Sequence, residues 1–330
     1  MAAVEHIHDT TALQDSATFR AAREIGYGSL AGMISKVFEH PFDLTKVRLQ
    51  SQVLDTSARF SGPIDCLVKT WKFEGVRGLY RGLPAPIAGA MAENASLFLA
   101  YNEFQSLIQK VAEHDPNAEL PMSQLALAAA GAGAVTSFIL TPIELVKCKM
   151  QVQMLVDPAL RVGPLPGPIA VFMSTIRSTG IRGLWRGHTG TFIRETGGTA
   201  AWFGTKEYIA RILLDRRLQK EGLTRATAKN TDLLPWESAV SGACAGAAFN
   251  FVLFPADTVK SAMQTEDELR RPIPNQAPQP KATFLGTFKA MYRAQGIRGL
   301  YAGCGITVAR SIPSSAIIFL TYDGLKKHFG

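Results

Sequence analysis

Apolar residues along this chain gather in six long stretches, each broken by glycine, proline or single charges in a recurring register. The pattern predicts long helices at about residues 20–50, 84–109, 121–151, 188–215, 235–265 and 304–328. Within each successive pair lies a shorter segment: 63–73, 168–178 and 283–293. In the first of these, Ile64, Leu67, Val68 and Trp71 recur at helical spacing, as in a helix lying along a membrane surface. Polar linkers are expected at 112–120 and 220–233, and a proline-rich, extended and mobile loop at 271–280. Residues 1–21 read as neither a transit nor a signal peptide, and a frayed polar tail is expected there.

The register comes from a phrase written three times: Pro41-Phe42-Asp43-Leu44-Thr45-Lys46, Pro142-Ile143-Glu144-Leu145-Val146-Lys147 and Pro255-Ala256-Asp257-Thr258-Val259-Lys260. Gln50, Gln151 and Gln264 each follow nine residues after the proline, and Gly32, Gly133 and Gly246 precede it by nine. A second phrase follows in each unit: Gly75 to Gly82, Gly180 to Gly187 and Gly296 to Gly303, with Ala302 standing where the first two copies have Arg81 and Arg186. The chain therefore divides into three similar units, 22–112, 113–220 and 221–330. A period near one hundred suits two-helix modules closing around an axis. The fold class expected is an all-α membrane protein, with six transmembrane helices and short surface helices in a pseudo-threefold barrel.

Composition agrees. Of 330 residues 47% are hydrophobic and 19% charged, and mean hydropathy is +0.08, against about 25% charge in ordinary soluble domains. No uninterrupted apolar run marks a simple single span, as expected where helices line a wet cavity. The net charge of +8 points to anionic lipid, because the basic residues adjoin apolar helices and no aromatic-rich basic strand for nucleic acid is present. Cys66, Cys148, Cys244 and Cys304 have no metal spacing or pairing pattern, and the six histidines are scattered. No nucleophile–base arrangement or nucleotide loop is found. An enzyme, a metal site and a cofactor are not expected.

An acid and a lysine three residues apart share one helical face. Around a threefold axis, the acid of one helix can instead reach the lysine of another. Asp43 would meet Lys147, Glu144 would meet Lys260 and Asp257 would meet Lys46, with Gln50, Gln151 and Gln264 bridging the pairs from one turn below. A closed ring that opens is a gate.

With these phrases the chain resembles the mitochondrial carrier family, over about residues 22–328. The resemblance implies a six-helix barrel in the mitochondrial inner membrane, here taken as a monomer, that exchanges small solutes by alternating access. The ring then corresponds to the family's matrix-side gate. The family's aromatic-basic-glycine phrases bind cardiolipin; Tyr80-Arg81-Gly82 and Trp185-Arg186-Gly187 match them. Its cytoplasmic gate is matched fully by Tyr322, Asp323 and Lys326, and only in degenerate form around Tyr101 and Glu207, so a weak outer gate is expected.

Cargo is read where the threefold pattern fails. The family's contact positions fall on the turn Gly89 to Asn94, on Arg194-Glu195 and on Arg310. An intramembrane charge is costly and points to function. Arg310, helped by Arg194, suits a carboxylate, which its planar fork binds at both oxygens. Glu93 and Glu195 suit two ammonium groups, and Asn94 either end. Lys36 is expected to face the cavity and guide the carboxylate. The stretches 92–96 and 194–198 resemble the ornithine carriers of the family in their fungal form. The expected substrate is ornithine or a related basic amino acid, in electroneutral or proton-coupled exchange. A carnitine or acylcarnitine carrier and a passive pore are the alternatives.

Overall fold

In a computed structural model, residues 2–54, 59–112, 120–155, 165–222, 233–269 and 283–329 are described. Most of the expected linkers and all of the proline-rich loop at 271–280 lie outside them. Nine α-helices follow in order among the described residues: α1 (Ala2–Ser51), α2 (Pro63–Leu79), α3 (Pro84–Val111), α4 (Met122–Val152), α5 (Pro168–Thr179), α6 (His188–Lys220), α7 (Pro235–Leu269), α8 (Phe284–Leu300) and α9 (Cys304–Phe329). The segment expected as a polar tail is helical from Ala2 and belongs to α1; it carries neither proline nor glycine before Gly26 and several good helix formers.

The long helices close a ring in chain order: α3 packs on α4, α4 on α6, α6 on α7, and α9 returns to α1. Large polar side chains are buried beside apolar ones: Arg48, His40, Gln50, Gln151, Gln264 and Glu237 are fully buried with Phe254, Leu44 and Leu145, while Leu127, Phe138, Phe251, Phe98 and Leu99 are exposed. A hydrocarbon surround favours such an apolar exterior around a partly polar interior. Ser123–Leu155, Trp236–Leu269 and Phe284–Phe329 are long and apolar enough to cross a membrane. The glycine, proline and charge interruptions therefore do not cancel the apolarity of these stretches.

The second phrase makes the corner of each unit. Its first glycine has positive φ in every copy (Gly75 64°, Gly180 72°, Gly296 62°), and so does its last (Gly82 84°, Gly187 81°, Gly303 84°). L side chains rarely adopt that backbone. The two glycines turn the chain out of the short helix and back into the next long one. The phrase's aromatic then packs on the first long helix of its own unit (α1, α4 or α7, the odd helices of the six long ones). Tyr80 stacks on His40 and Tyr301 on Phe254, while Trp185 lies 5.0 Å from Phe138 and donates Nε1–H to its carbonyl. On α2 the apolar stripe faces outward, with Ile64, Val68 and Trp71 exposed and Cys66 and Thr70 buried, which is the geometry of a surface-lying helix.

The short helices are tied down differently in the three units. Seven residues after the prolines stand Arg48, Lys149 and Ala262. Arg48, fully buried, donates to Thr70 at 2.8 Å and forks onto Glu74 at 2.6 and 2.7 Å. Lys149 reaches Thr175 at 3.3 Å and Glu268 at 3.5 Å. In the third unit the tie is apolar, with Ala262 packed with Val53, Val259, Met263, Met291 and Leu300.

Candidate functional site

Pro41, Pro142 and Pro255 lie inside α1, α4 and α7, where each removes one backbone donor. The turn after each proline carries its acid and lysine inward. All three expected inter-helix pairs are present: Lys147 Nζ to Asp43 Oδ2 at 2.8 Å, Lys260 Nζ to Glu144 Oε2 at 2.9 Å and Lys46 Nζ to Asp257 Oδ2 at 2.5 Å. The six side chains are 4–22% exposed, so these pairs lie beyond the weak exposed class.

The glutamines do not bridge the pairs. Gln50 donates to Thr258 Oγ1 at 3.2 Å, and Gln264 donates to the Arg186 carbonyl at 3.4 Å. Both polar atoms of the Gln151 amide lack a partner among the described residues. Each glutamine lies four residues beyond its lysine, and the fully buried amides of Gln50 and Gln264 turn to a neighbouring hydroxyl and a backbone carbonyl instead of the pairs.

Two arginines press onto the ring. Arg194 reaches Glu144 at 3.1 Å, Asp257 at 3.8 Å and its neighbour Glu195 in direct contact. Arg310 forks, with Nη1 to Glu39 Oε2 at 2.7 Å and Nη2 to Asp43 Oδ1 at 3.1 Å. Both arginines, which were assigned to cargo, thus also touch ring acids. Glu195 is placed by close helix packing: a Cβ on Gly133 would come within 3.0 Å of the Glu195 carbonyl oxygen. The small residue on α4 lets the α6 backbone in, as small residues do at membrane helix contacts.

Glu93 and Lys36 line one cavity of about 70 Å³, together with Gly89, Ile143, Glu144 and Lys147. Asn94 is exposed and lies outside that lining, since the next residue on a helix points about 100° away. Lys36 does face the cavity, but its Nζ is also paired with Glu39 at 2.8 Å.

Glu39 escaped the reading of the sequence. It is 6% exposed and accepts from Lys36, Arg310, Ser35 and Ser314. Its signal was available, since two residues before the proline the other units have Leu140 and Leu253. The failure of threefold pattern that exposed Arg310 exposes Glu39 as well.

The residues expected to form the outer gate lie toward the ends of α6 and α9. Glu207 pairs with Arg211 on its own helix at 2.7 Å. Asp323 is exposed, and Lys326 Nζ lies 5.8 Å from the Tyr322 ring centre. The arginines of the aromatic-basic-glycine phrases are also engaged by protein. Arg81 donates to Gln153 at 3.0 Å and to the Pro166 carbonyl at 2.9 Å, and Arg186 meets Asp267 at 2.5 Å and contacts Glu266. Gln153, just past the end of α4, and Glu266 on α7 are equivalent positions in the following units. These arginines therefore tie unit to unit, because the turn at Gly82 or Gly187 leaves the preceding side chain beside the next odd helix.

The family model of the mitochondrial carrier protein matches residues 18–112, 118–217 and 231–330. The chain is 36% identical over 306 residues to mitochondrial ornithine transporter 1 of Saccharomyces cerevisiae, covering 92% of this chain and 95% of that protein. It is 34% identical over 325 residues to a mitochondrial carnitine/acylcarnitine carrier-like protein of Arabidopsis thaliana, covering 94% and 99%. It is 28% identical over 313 residues to the mitochondrial arginine transporter BAC1 of the same plant, covering 93% and 94%.

Proposed function

We propose that this chain, which belongs to the mitochondrial carrier family, exchanges ornithine and related basic amino acids by alternating access. It is a transporter, not an enzyme, and a multi-pass protein of the mitochondrial inner membrane. The observation that carries the cargo reading is the layer of Glu93, Arg194, Glu195 and Arg310 against the ion-pair ring. A basic α-amino acid presents one carboxylate and two ammonium groups. The arginines match the carboxylate and the two glutamates match the ammonium groups. Relatives named for ornithine and arginine transport support the same cargo. In this reading the ring of Asp43–Lys147, Glu144–Lys260 and Asp257–Lys46 is the matrix gate, held closed, and Tyr322, Asp323, Lys326 and Glu207 mark a weak cytoplasmic gate standing apart.

A carnitine cargo would need aromatic faces for its quaternary ammonium. Trp202, which pairs with Phe203 on α6, is already covered by Lys206, whose Nζ lies 4.8 Å from the Trp202 ring centre. Bound cardiolipin is part of the proposal. The starts of α2 and α5 have no side-chain cap, which leaves their amides for phosphate oxygens, and an apolar cavity of about 310 Å³ beside Pro84, Pro142 and Phe172 suits an acyl chain.

The test is exchange by the purified protein in liposomes. Ornithine uptake should require an internal basic amino acid and be abolished in Glu93→Ala and Arg310→Ala. Preference for carnitine, or uptake without a counter-substrate, overturns the proposal.

A further inference from the structure

Arg310 is held at one edge and shared at the other. Its Nη1 meets Glu39 Oε2 at 2.7 Å, its Nη2 meets the ring acid Asp43 at 3.1 Å, and its Nε is buried with no acceptor among the described residues. Both oxygens of Glu39 are engaged. One lies against the hydroxyls of Ser35 (3.3 Å) and Ser314, while the other takes Lys36 (2.8 Å) and Arg310. With two cations on one oxygen and the serine pair on the other, Glu39 is occupied by protein groups. It is also fixed between two helices, since Ser35 on α1 and Ser314 on α9 lie 2.7 Å apart, hydroxyl to hydroxyl. The equivalent positions, Leu140 and Leu253, can hold nothing of the kind.

We propose that Glu39 is the positioning residue for substrate recognition. Anchored by Ser35 and Ser314, it holds Arg310 by Nη1 and leaves the Nε–Nη2 edge to be shared between Asp43 and the carboxylate of the substrate. The proposal rests on the reading that Arg310 binds that carboxylate. Bidentate binding at Nε and Nη2 satisfies the orphaned Nε–H and displaces Asp43 from Nη2. The gate acid then keeps Lys147 as its cation. Loading the substrate thereby removes one of the two cations on Asp43, and the arginine that senses the cargo also loosens the gate. Glu39 ensures that it is the Asp43 contact that yields.

The test compares ornithine exchange by wild type, Glu39→Gln, Glu39→Asp and Ser314→Ala in liposomes, fitting KM and maximal rate separately. Without the carboxylate that orients its guanidinium, Arg310 should bind substrate less well, raising KM about tenfold in Glu39→Gln with the maximal rate within about twofold. Glu39→Asp restores the charge and should recover KM to within about threefold of wild type, whereas a purely structural role would follow side-chain length rather than charge. If Glu39→Gln cannot be recovered folded, Ser314→Ala serves, with KM rising about threefold once Glu39 is deprived of that hydroxyl. In the variants that are recovered folded, an unchanged KM, or a loss confined to maximal rate, overturns the role of Glu39 while wild-type exchange leaves the cargo reading standing. A wild type that exchanges no basic amino acid overturns both.

Discussion

Every acid of the ring is held by at least two cations, and this redundancy makes a quantitative prediction. Asp43 has Lys147 at 2.8 Å and Arg310 at 3.1 Å. Glu144 has Lys260 at 2.9 Å and Arg194 at 3.1 Å, and Asp257 has Lys46 at 2.5 Å and Lys260 at 3.3 Å. Removing the sole partner of a buried charge costs about 3–5 kcal/mol. Lys147→Gln removes one of two, and the guanidinium left at 3.1 Å retains an attraction similar to the one removed, about 4 kcal/mol at 4 Å in a medium of effective dielectric 20. The single substitution should therefore cost only about 1–2 kcal/mol. Arg310→Gln should cost about as much, because Asp43 keeps Lys147 and Glu39 keeps Lys36. The double variant leaves Asp43 with no cation within 4 Å among the described residues. Its cost should exceed the sum of the singles by at least about 1 kcal/mol. Unfolding in detergent titrated with dodecyl sulfate, followed by helical circular dichroism, measures all four corners of the cycle. Adding Asp43→Asn to the double variant should recover most of the excess, since no bare charge then remains. Additivity within about 0.5 kcal/mol, or a full-sized penalty from Lys147→Gln alone, would refute the shared-cation reasoning.

Other outcomes follow from single side chains. Gly133→Val places side-chain atoms against the Glu195 backbone, which a Cβ alone would already meet at 3.0 Å. Exchange should be abolished and stability reduced by about 1–3 kcal/mol in the same unfolding assay. Gly187→Ala, at φ 81°, should cost about 1–2 kcal/mol, whereas Gly204→Ala, with open space around its Cβ, should be neutral or stabilising. Cys66 is fully buried in the surface helix α2, and burial pushes its thiol up to about 11. Its thiolate is scarce at neutral pH, so mass spectrometry after maleimide treatment at pH 7 should find it unmodified in the folded protein and modified once denatured.

What the sequence made legible is what repeats. Three prolines at equivalent places fix three helices, and threefold symmetry lets the acid of each reach the lysine of a neighbour. The spacing thus gave the three acids and three lysines of the ring, and the structure pairs Asp43 with Lys147. The glycines of the second phrase were legible for the same reason, and their positive φ values give that spacing its cause. The glutamines show where repetition misleads. Identical spacing placed Gln50, Gln151 and Gln264 at one level, but the choice of partner depends on whichever hydroxyl or carbonyl a neighbour supplies, and Thr258 and the Arg186 carbonyl are not equivalent groups.

Asymmetry is harder to read because it has no second copy to confirm it, yet it decides how the ring is loaded. Reach is the obstacle. Arg310 could be recognised as an isolated intramembrane charge, but a long side chain from α9 covers several positions on α1. Sequence alone therefore assigned it to cargo, although it also grips Asp43. Glu39 was hidden by its neighbour, since four residues before Asp43 it lies on the same helical face and reads as part of the gate phrase. The partners separate the two roles. Asp43 faces Lys147 on the neighbouring odd helix, whereas Glu39 is fastened to the α1–α9 seam by Ser35 and Ser314. A threefold ring whose acids were held only by threefold lysines would have no way to register an unsymmetrical substrate. The unsymmetrical cations Arg194 and Arg310 lie on Glu144 and Asp43, and through them a lopsided cargo can act on a symmetric gate.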